Sequence, residues 1–366
     1  MRIHSILNRY LAKNFLLAFV GTLFVLISLI YLFDVIDLLR RASSRDYLSF
    51  AAVLKMGVIK SPQMFPLLVP FAVLIASIIC FMRLSKSQEL VIARSVGMSV
   101  WNILTPILIV VGVIGVLNMT ALNPFSTMMR QRYTVLESTN FRKNTGFSWT
   151  NRGLWIREKM DNVTAVIHAD SVLQEGKTLS LNDVSVLFLN ENESLVKQIE
   201  SPSGSLIANT LFVSDGLSWD EDGDKEKTNA FSLKTELNLD KIIQTFEEPE
   251  KISFWKLPSF IRTLNKAGFS SAKHRVYYYS LWATIFYLIA MVLIAAVFSI
   301  SPNQRQGRPL LNVSSAVVGG FVLFFISKVT MALGIPGTLP VFLATFGPSL
   351  MAICFCLYAL LHTEDG

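Results

Sequence analysis

In this chain of 366 residues, 52% of the side chains are hydrophobic and only 16% are charged. About a quarter of an ordinary soluble domain is charged, so that class is excluded for the chain as a whole. The net charge of +7 is unevenly spread: residues 123–275 hold 20 of the 26 acidic and 19 of the 33 basic residues, and the remainder keeps 14 basic and 6 acidic. Basic flanks of membrane segments account for that excess, so no nucleic-acid partner is called for.

Taken in chain order, residues Met1–Lys13 read as a short amphipathic helix on the inner membrane surface. The uncharged run Asn14–Phe33 follows, long enough for one span at about 20 residues. Asp34, Asp37, Arg40, Arg41 and Arg45 come next, with no small-residue cleavage site, so the run is not a secretory signal. Lys55 and Lys60 precede the second run, Ser61–Met82, whose helix is expected to bend at Pro62, Pro66 and Pro70. Ser85–Met98 then reads as an amphipathic cytoplasmic helix: Leu90, Val91, Ile92 and Val96 supply apolar surface, Gln88, Glu89 and Arg94 the polar side, and Gly97 a stop. Such a helix either rests on the membrane or docks into a motor. The third run, Ser95–Met129, holds a span near Val100–Leu122.

Residues 123–272 change character and are expected to form an inserted all-β domain with a trailing helix. Short β-type runs recur at Gly153–Glu158, Val163–His168, Val184–Leu189, Ser205–Ala208, Leu211–Val213 and Phe231–Thr235, separated by Gly, Asn, Asp and Ser. Ser253–Ala267 reads as the helix leading back to the membrane. Glu175-Gly-Lys-Thr178 looks like the end of a phosphate loop, but Ser171 stands where the first glycine belongs and no helix is expected after it.

Residues 273–366 carry the last three spans. They lie near Tyr277–Ile300, in Pro309–Ser327, and after the turn Gly334–Pro340, where Val329–Thr363 is again uncharged. The fold class is therefore membrane α-helical, six spans arranged three and three around an inserted β domain. Arg2, Arg9 and Lys13, then Arg83, Lys86 and Arg94, then Arg305 and Arg308 share one side, which the positive-inside rule makes cytoplasmic. Both termini then face the cytoplasm, and the β domain lies on the opposite side with Arg40, Arg41 and Arg45. Cys80, Cys354 and Cys356 fall inside spans and read as packing residues; the histidines are scattered; no nucleophile stands at a motif spacing from a base.

Several charges sit close to apolar runs. Arg40, Arg41, Lys60 and Lys328 suit an anionic lipid headgroup, with arginine forks matching phosphates. Snorkelling to the headgroups is the simpler reading of each taken singly, and a pairing of Asp34 or Asp37 with Lys328 is a third option. Arg130, Arg132, Arg142 and Lys143 form a second basic group where the chain leaves the third span.

Asn8-Arg-Tyr-Leu11, Asp37-Leu-Leu-Arg-Arg-Ala42, Gln88–Gly97, Gly153-Leu-Trp-Ile156, Leu333-Gly-Ile-Pro336 and Gly347-Pro348 run from one end of the chain to the other. Together with the three-plus-domain-plus-three order, they resemble the LptF/LptG (YjgP/YjgQ) family of lipopolysaccharide-export permeases. The resemblance implies a β-jellyroll in the periplasm of a Gram-negative bacterium, a heterodimer of LptF-type and LptG-type permeases on an LptB-type ATPase dimer, and LptC-type and LptA-type jellyroll proteins downstream. ATP and magnesium would bind the ATPase, not this chain, which would not itself be an enzyme.

By the same resemblance Gln88, Glu89, Leu90, Arg94 and Gly97 would form the coupling helix, and Arg40, Arg41, Lys60, Arg130, Arg132 and Lys328 would meet lipopolysaccharide. Asp34 and Asp37 would take part in gating, since helices one and five form lateral gates in the family; family members often carry a basic residue where Asp34 stands. Inward-facing Leu, Ile, Val and Phe of the β domain would receive acyl chains. Leu333–Pro336, the Trp155 region and the short tail look more like the LptG type. An LptF-type subunit and a non-transport scaffold or receptor with a β sensor domain are the alternatives. A lipoprotein-release permease would place its outer domain after the first helix, and an intramembrane enzyme would need paired catalytic residues in its spans.

Overall fold

The computed structural model describes residues 2–42, 50–89, 99–141, 147–150, 153–160, 163–175, 178–190, 194–207, 210–220, 225–235, 248–266, 268–299 and 309–365. The chain divides into two units. The helical unit comprises Met1–Asn140, Pro249–Pro258 and Ala272–Gly366, and the β unit comprises Phe141–Glu248 and Ser259–Ser271.

The helical unit contains α1 (Arg2–Ala42), α2 (Phe50–Lys60), a 3-10 turn (Ser61–Met64), α3 (Phe65–Lys86), α4 (Val100–Leu117), a π turn (Asn118–Leu122) and α5 (Asn123–Phe141). After the β strands come α6 (Leu257–Lys266), α7 (Ala272–Ser299), α8 (Pro309–Gly334) and α9 (Val341–Asp365). Among the described residues, six stretches are long and apolar enough to span a bilayer: Ile6–Ala42, Phe50–Lys86, Val100–Glu137, Ala272–Ser299, Leu311–Gly334 and Val341–His362. α1 is unbroken over 41 residues, so the expected surface helix and the first span are one element. No proline or glycine before Gly21 interrupts it. Of the second span's three prolines, Pro62 is buried in the 3-10 turn, Pro66 stands in the first turn of α3, where its missing donor is not needed, and Pro70 lies inside that helix.

Large side chains of every span meet in one core: Phe15 and Phe19 of α1, Phe81 of α3, Ile107 of α4, Leu288 and Met291 of α7, Leu323 of α8 and Leu360 of α9. α7 is the central helix, packed against α3, α4, α8 and α9. Gly320 lets α8 approach α3 so closely that a Cβ there would strike the side chain of Leu74, the small-residue contact on which membrane helix packing relies. Phe24, Phe325, Phe355 and Tyr358 point outward and are largely exposed, as lipid-facing residues are.

Among the described residues the β unit holds seven strands, β1 (Phe147–Thr150), β2 (Gly153–Met160), β3 (Val163–Glu175), β4 (Thr178–Leu189), β5 (Leu195–Ile207), β6 (Thr210–Asp220) and β7 (Lys225–Lys234). They form one sheet in chain order, every neighbour antiparallel, so the inserted β domain is realised as a meander. The phosphate-loop lookalike falls on the β3–β4 connection, with β3 ending at Glu175 and β4 starting at Thr178. A line of skipped pairs crosses β4 to β7 at constant register: Asn182 pairs with Ser203 and Val184 with Ser201, and Ser214 pairs with Ala230 and Gly216 with Thr228, leaving Asp183 and Asp215 out of the ladder. Asp183 and Asp215 sit on this line with φ of 49° and 53°, the left-handed conformation that aspartate tolerates best after glycine and asparagine. Across Asp183 the inward alternation shifts by one residue, from Leu179 and Leu181 to Val184 and Val186, while the strand register is kept.

The apolar face so formed includes Ile167, Leu181, Val186, Ile199, Leu211 and Val213, and within the same unit it is packed by Leu264, Phe269 and Phe260. The trailing helix is shorter than expected: Ser253–Lys256 form turns, and the helix proper is Leu257–Lys266. Asn123–Phe141 belongs with the helices as far as residue 140, where the sequence reading opens the β domain at 123.

Candidate functional site

The charged set at the C-terminal end of α1 is assembled from α1, α2, the 3-10 turn and α5. α1 approaches α2 at Gly57, where a Cβ would lie 3.0 Å from both Tyr31 and Val35. That close contact brings Lys60, the last residue of α2, onto Asp34 of α1: Nζ to Oδ1 is 2.5 Å, with the side chains 16% and 15% exposed. The face of Tyr133 on α5 lies 5.9 Å from the same ammonium. Asp34 Oδ2 is buried and has no hydrogen-bond partner among the described residues.

One turn further along α1, Asp37 bonds Arg40 at 3.0 Å and Arg41 at 2.8 Å, the i,i+3 and i,i+4 spacings that align side chains on a helix. Arg41 also reaches Glu137 of α5 at 3.5 Å. Arg130 of α5 donates to Glu250 at 2.6 Å and, through Nε, to Gln63 of the 3-10 turn at 3.4 Å. Ser126 Oγ ties α5 to the same turn by donating to the Pro62 carbonyl. Arg132 is exposed. Lys328, on α8, is exposed and stands over the Phe324 ring at 5.6 Å. Asp34 and Asp37 therefore pair with Lys60 and with Arg40 and Arg41, not with Lys328.

Glu137, Glu250, Gln63 and Tyr133 belong to this set and were not named from the sequence. Glu137 and Tyr133 stand four residues apart on α5, seven and three beyond Arg130, and that periodicity was the available signal. Glu250 lies 120 residues from Arg130, and no local pattern announces the pair.

Pro124 has no amide hydrogen to return to the Thr120 carbonyl, so the α-helical ladder breaks there and the π turn takes up the slack. The Thr120 carbonyl instead accepts from the indole of Trp255 at 3.2 Å. Asn123, buried, donates to the Tyr277 hydroxyl at 3.0 Å and accepts from the Phe254 amide at 2.9 Å. Phe254 stacks on Tyr278 and meets Trp255 and Trp282 edge-on. Exposed Trp255 and Trp282 are the aromatic anchors expected at a membrane–water boundary.

Between the second and third spans, α3 ends at Lys86 and Gln88 takes φ of 60°, turning the chain. Glu89 then accepts from the Tyr10 hydroxyl of α1 at 3.4 Å. Leu90, Arg94 and Gly97 lie outside the described residues.

These features define a multi-pass membrane protein: two triplets of spanning helices, an inserted antiparallel β unit, and a paired-charge cluster at the end of the first span. The family model for the lipopolysaccharide export system permease LptF/LptG matches residues 9–362, and the chain belongs to that family. It is similar to the lipopolysaccharide export system permease protein LptG of Escherichia coli K12, with 22% identity over 364 residues, covering 92% of this chain and 93% of that protein. The LptG protein of E. coli O6:H1 strain CFT073 matches to the same extent. Family and spans together make this an inner-membrane protein.

Proposed function

We propose that the chain is the LptG-type permease subunit of a transporter that extracts lipopolysaccharide from the inner membrane. The observation that carries this reading is the family match over residues 9–362, which takes in both helix triplets and the sheet between them. Both E. coli relatives are LptG proteins matched over nearly their whole length, and this favours the LptG role. The basic flanks of the spans support an orientation with both termini in the cytoplasm and the β unit in the periplasm. The partners would be an LptF-type permease, an LptB-type ATPase dimer that binds ATP and magnesium, and LptC-type and LptA-type periplasmic proteins.

On this reading Gln88–Gly97 docks into the ATPase, with Glu89 as its charged contact. Closure of the ATPase dimer shifts the permease pair toward a collapsed cavity, and the lipid leaves for the apolar interior of the β unit. Glu89 is already bonded by Tyr10, so a push on this segment is passed to the N-terminal end of α1.

The test is co-purification of the full chain with an LptB-type ATPase. Wild type should retain the ATPase, Glu89→Ala should weaken it, and Glu89→Lys should remove most of it. Absence of any ATPase on the intact wild-type protein would sink the export assignment.

A further inference from the structure

Resting on the reading that the charged set at the end of α1 meets a lipid headgroup, we propose that Asp34 makes Lys60 selective for a phosphate monoester over a phosphate diester. Lys60 is the least exposed of the cations with a carboxylate partner in this set, 16% against 24% for Arg130, 51% for Arg41 and 81% for Arg40. It is also the one whose charge is already matched by a comparably buried carboxylate, 2.5 Å away. An anion arriving at Lys60 therefore meets Asp34 as well.

The two phosphate types differ at that encounter. A diester is a monoanion with acceptor oxygens only. Exchanging it for the Asp34 carboxylate replaces one unit charge by another and leaves Asp34 buried without its partner, which is unfavourable. A monoester has a second ionisation near pH 6, so it readily holds one O–H. Beside a desolvated carboxylate that proton is retained, because two facing anions are disfavoured. One phosphate oxygen then accepts from the Lys60 ammonium while the P–O–H donates to Asp34 Oδ2, the buried atom that has no partner among the described residues. No proton leaves either group, and the pair stays neutralised. The Tyr133 ring, 5.9 Å from the Lys60 ammonium, adds to the low local dielectric of this half-buried pair, which enlarges the difference between satisfied and unsatisfied anions.

Monoester phosphates occur on glycolipid headgroups and on phosphatidic acid, whereas phosphatidylglycerol is a diester. The experiment titrates the full chain, purified in detergent, with dioleoyl phosphatidic acid and with dioleoyl phosphatidylglycerol, which share acyl chains. Wild type should bind phosphatidic acid on the order of tenfold more tightly, the scale of one charge-assisted hydrogen bond gained or lost. In Asp34→Asn the ratio should fall to about one, chiefly because phosphatidylglycerol binding improves. Lys60→Gln should weaken both lipids. Equal affinities in wild type, no binding of either lipid, or a preference that survives in Asp34→Asn overturns the proposal. Lipopolysaccharide is titrated in parallel: failure to bind it with the phosphatidic acid preference intact removes the export reading and leaves the role of Asp34 standing.

Discussion

Asn123 and Trp255 both form hydrogen bonds at the π turn, in environments that differ in wetness. Asn123 is buried and serves two groups, the Phe254 amide and the Tyr277 hydroxyl. Trp255 is 64% exposed and serves only the Thr120 carbonyl. Losing a buried partner strands the group it served, whereas water replaces an exposed one. Asn123→Ala should therefore lower stability by roughly 2–4 kcal/mol and Trp255→Phe by about 1 kcal/mol or less. Thermal unfolding in detergent measures both, and equal effects would contradict the assignment. Of these residues the sequence announced little. Arg40, Arg41, Asp37 and Lys60 were legible because they stand beside apolar runs. The carboxylates Glu137 and Glu250 were not, because Glu137 lies 96 residues from Arg41 and Glu250 lies 120 from Arg130, separations that only packing closes.

At the scale of elements, α6 has a polar face toward solvent and Phe260 and Leu264 toward the sheet, with Phe269 just beyond its end. Part of the sheet's apolar face is thus packed by the protein's own side chains. Leu264 is 3% exposed, so Leu264→Ala removes buried carbon and leaves a void, at about 2–4 kcal/mol. Hydrogen exchange should show faster opening of β4 to β6 in that variant, whose Leu181, Ile199, Leu211 and Val213 lie in the same cluster. Unchanged protection there would mean that α6 does not hold the face. The strands themselves were legible only in pieces. Leu211–Val213 and Ser205–Ala208 read as isolated short runs because the inward alternation shifts by one residue along the line through Asp183 and Asp215, within strands of up to 13 residues. A period-two pattern does not carry across such a shift.

At the scale of the whole molecule, the six spans were readable because each needs an uncharged run that few soluble proteins contain. Their sidedness rests on three basic groups against one, Arg40, Arg41 and Arg45 being the exception. The three cysteines can be replaced to give a clean background, since Cys80 and Cys356 are buried in the helical unit and Cys354 faces outward from α9. Ser214→Cys, on an exposed position of β6, should then react with a membrane-impermeant maleimide in intact spheroplasts. Lys86→Cys, exposed at the end of α3, should react only after the membrane is permeabilised. The opposite pattern would invert the molecule. The charge cluster of Asp34, Lys60 and Arg41 would then sit at the cytoplasmic leaflet, where it could not meet a lipid leaving for the periplasm, and Glu89 would face away from any cytoplasmic ATPase.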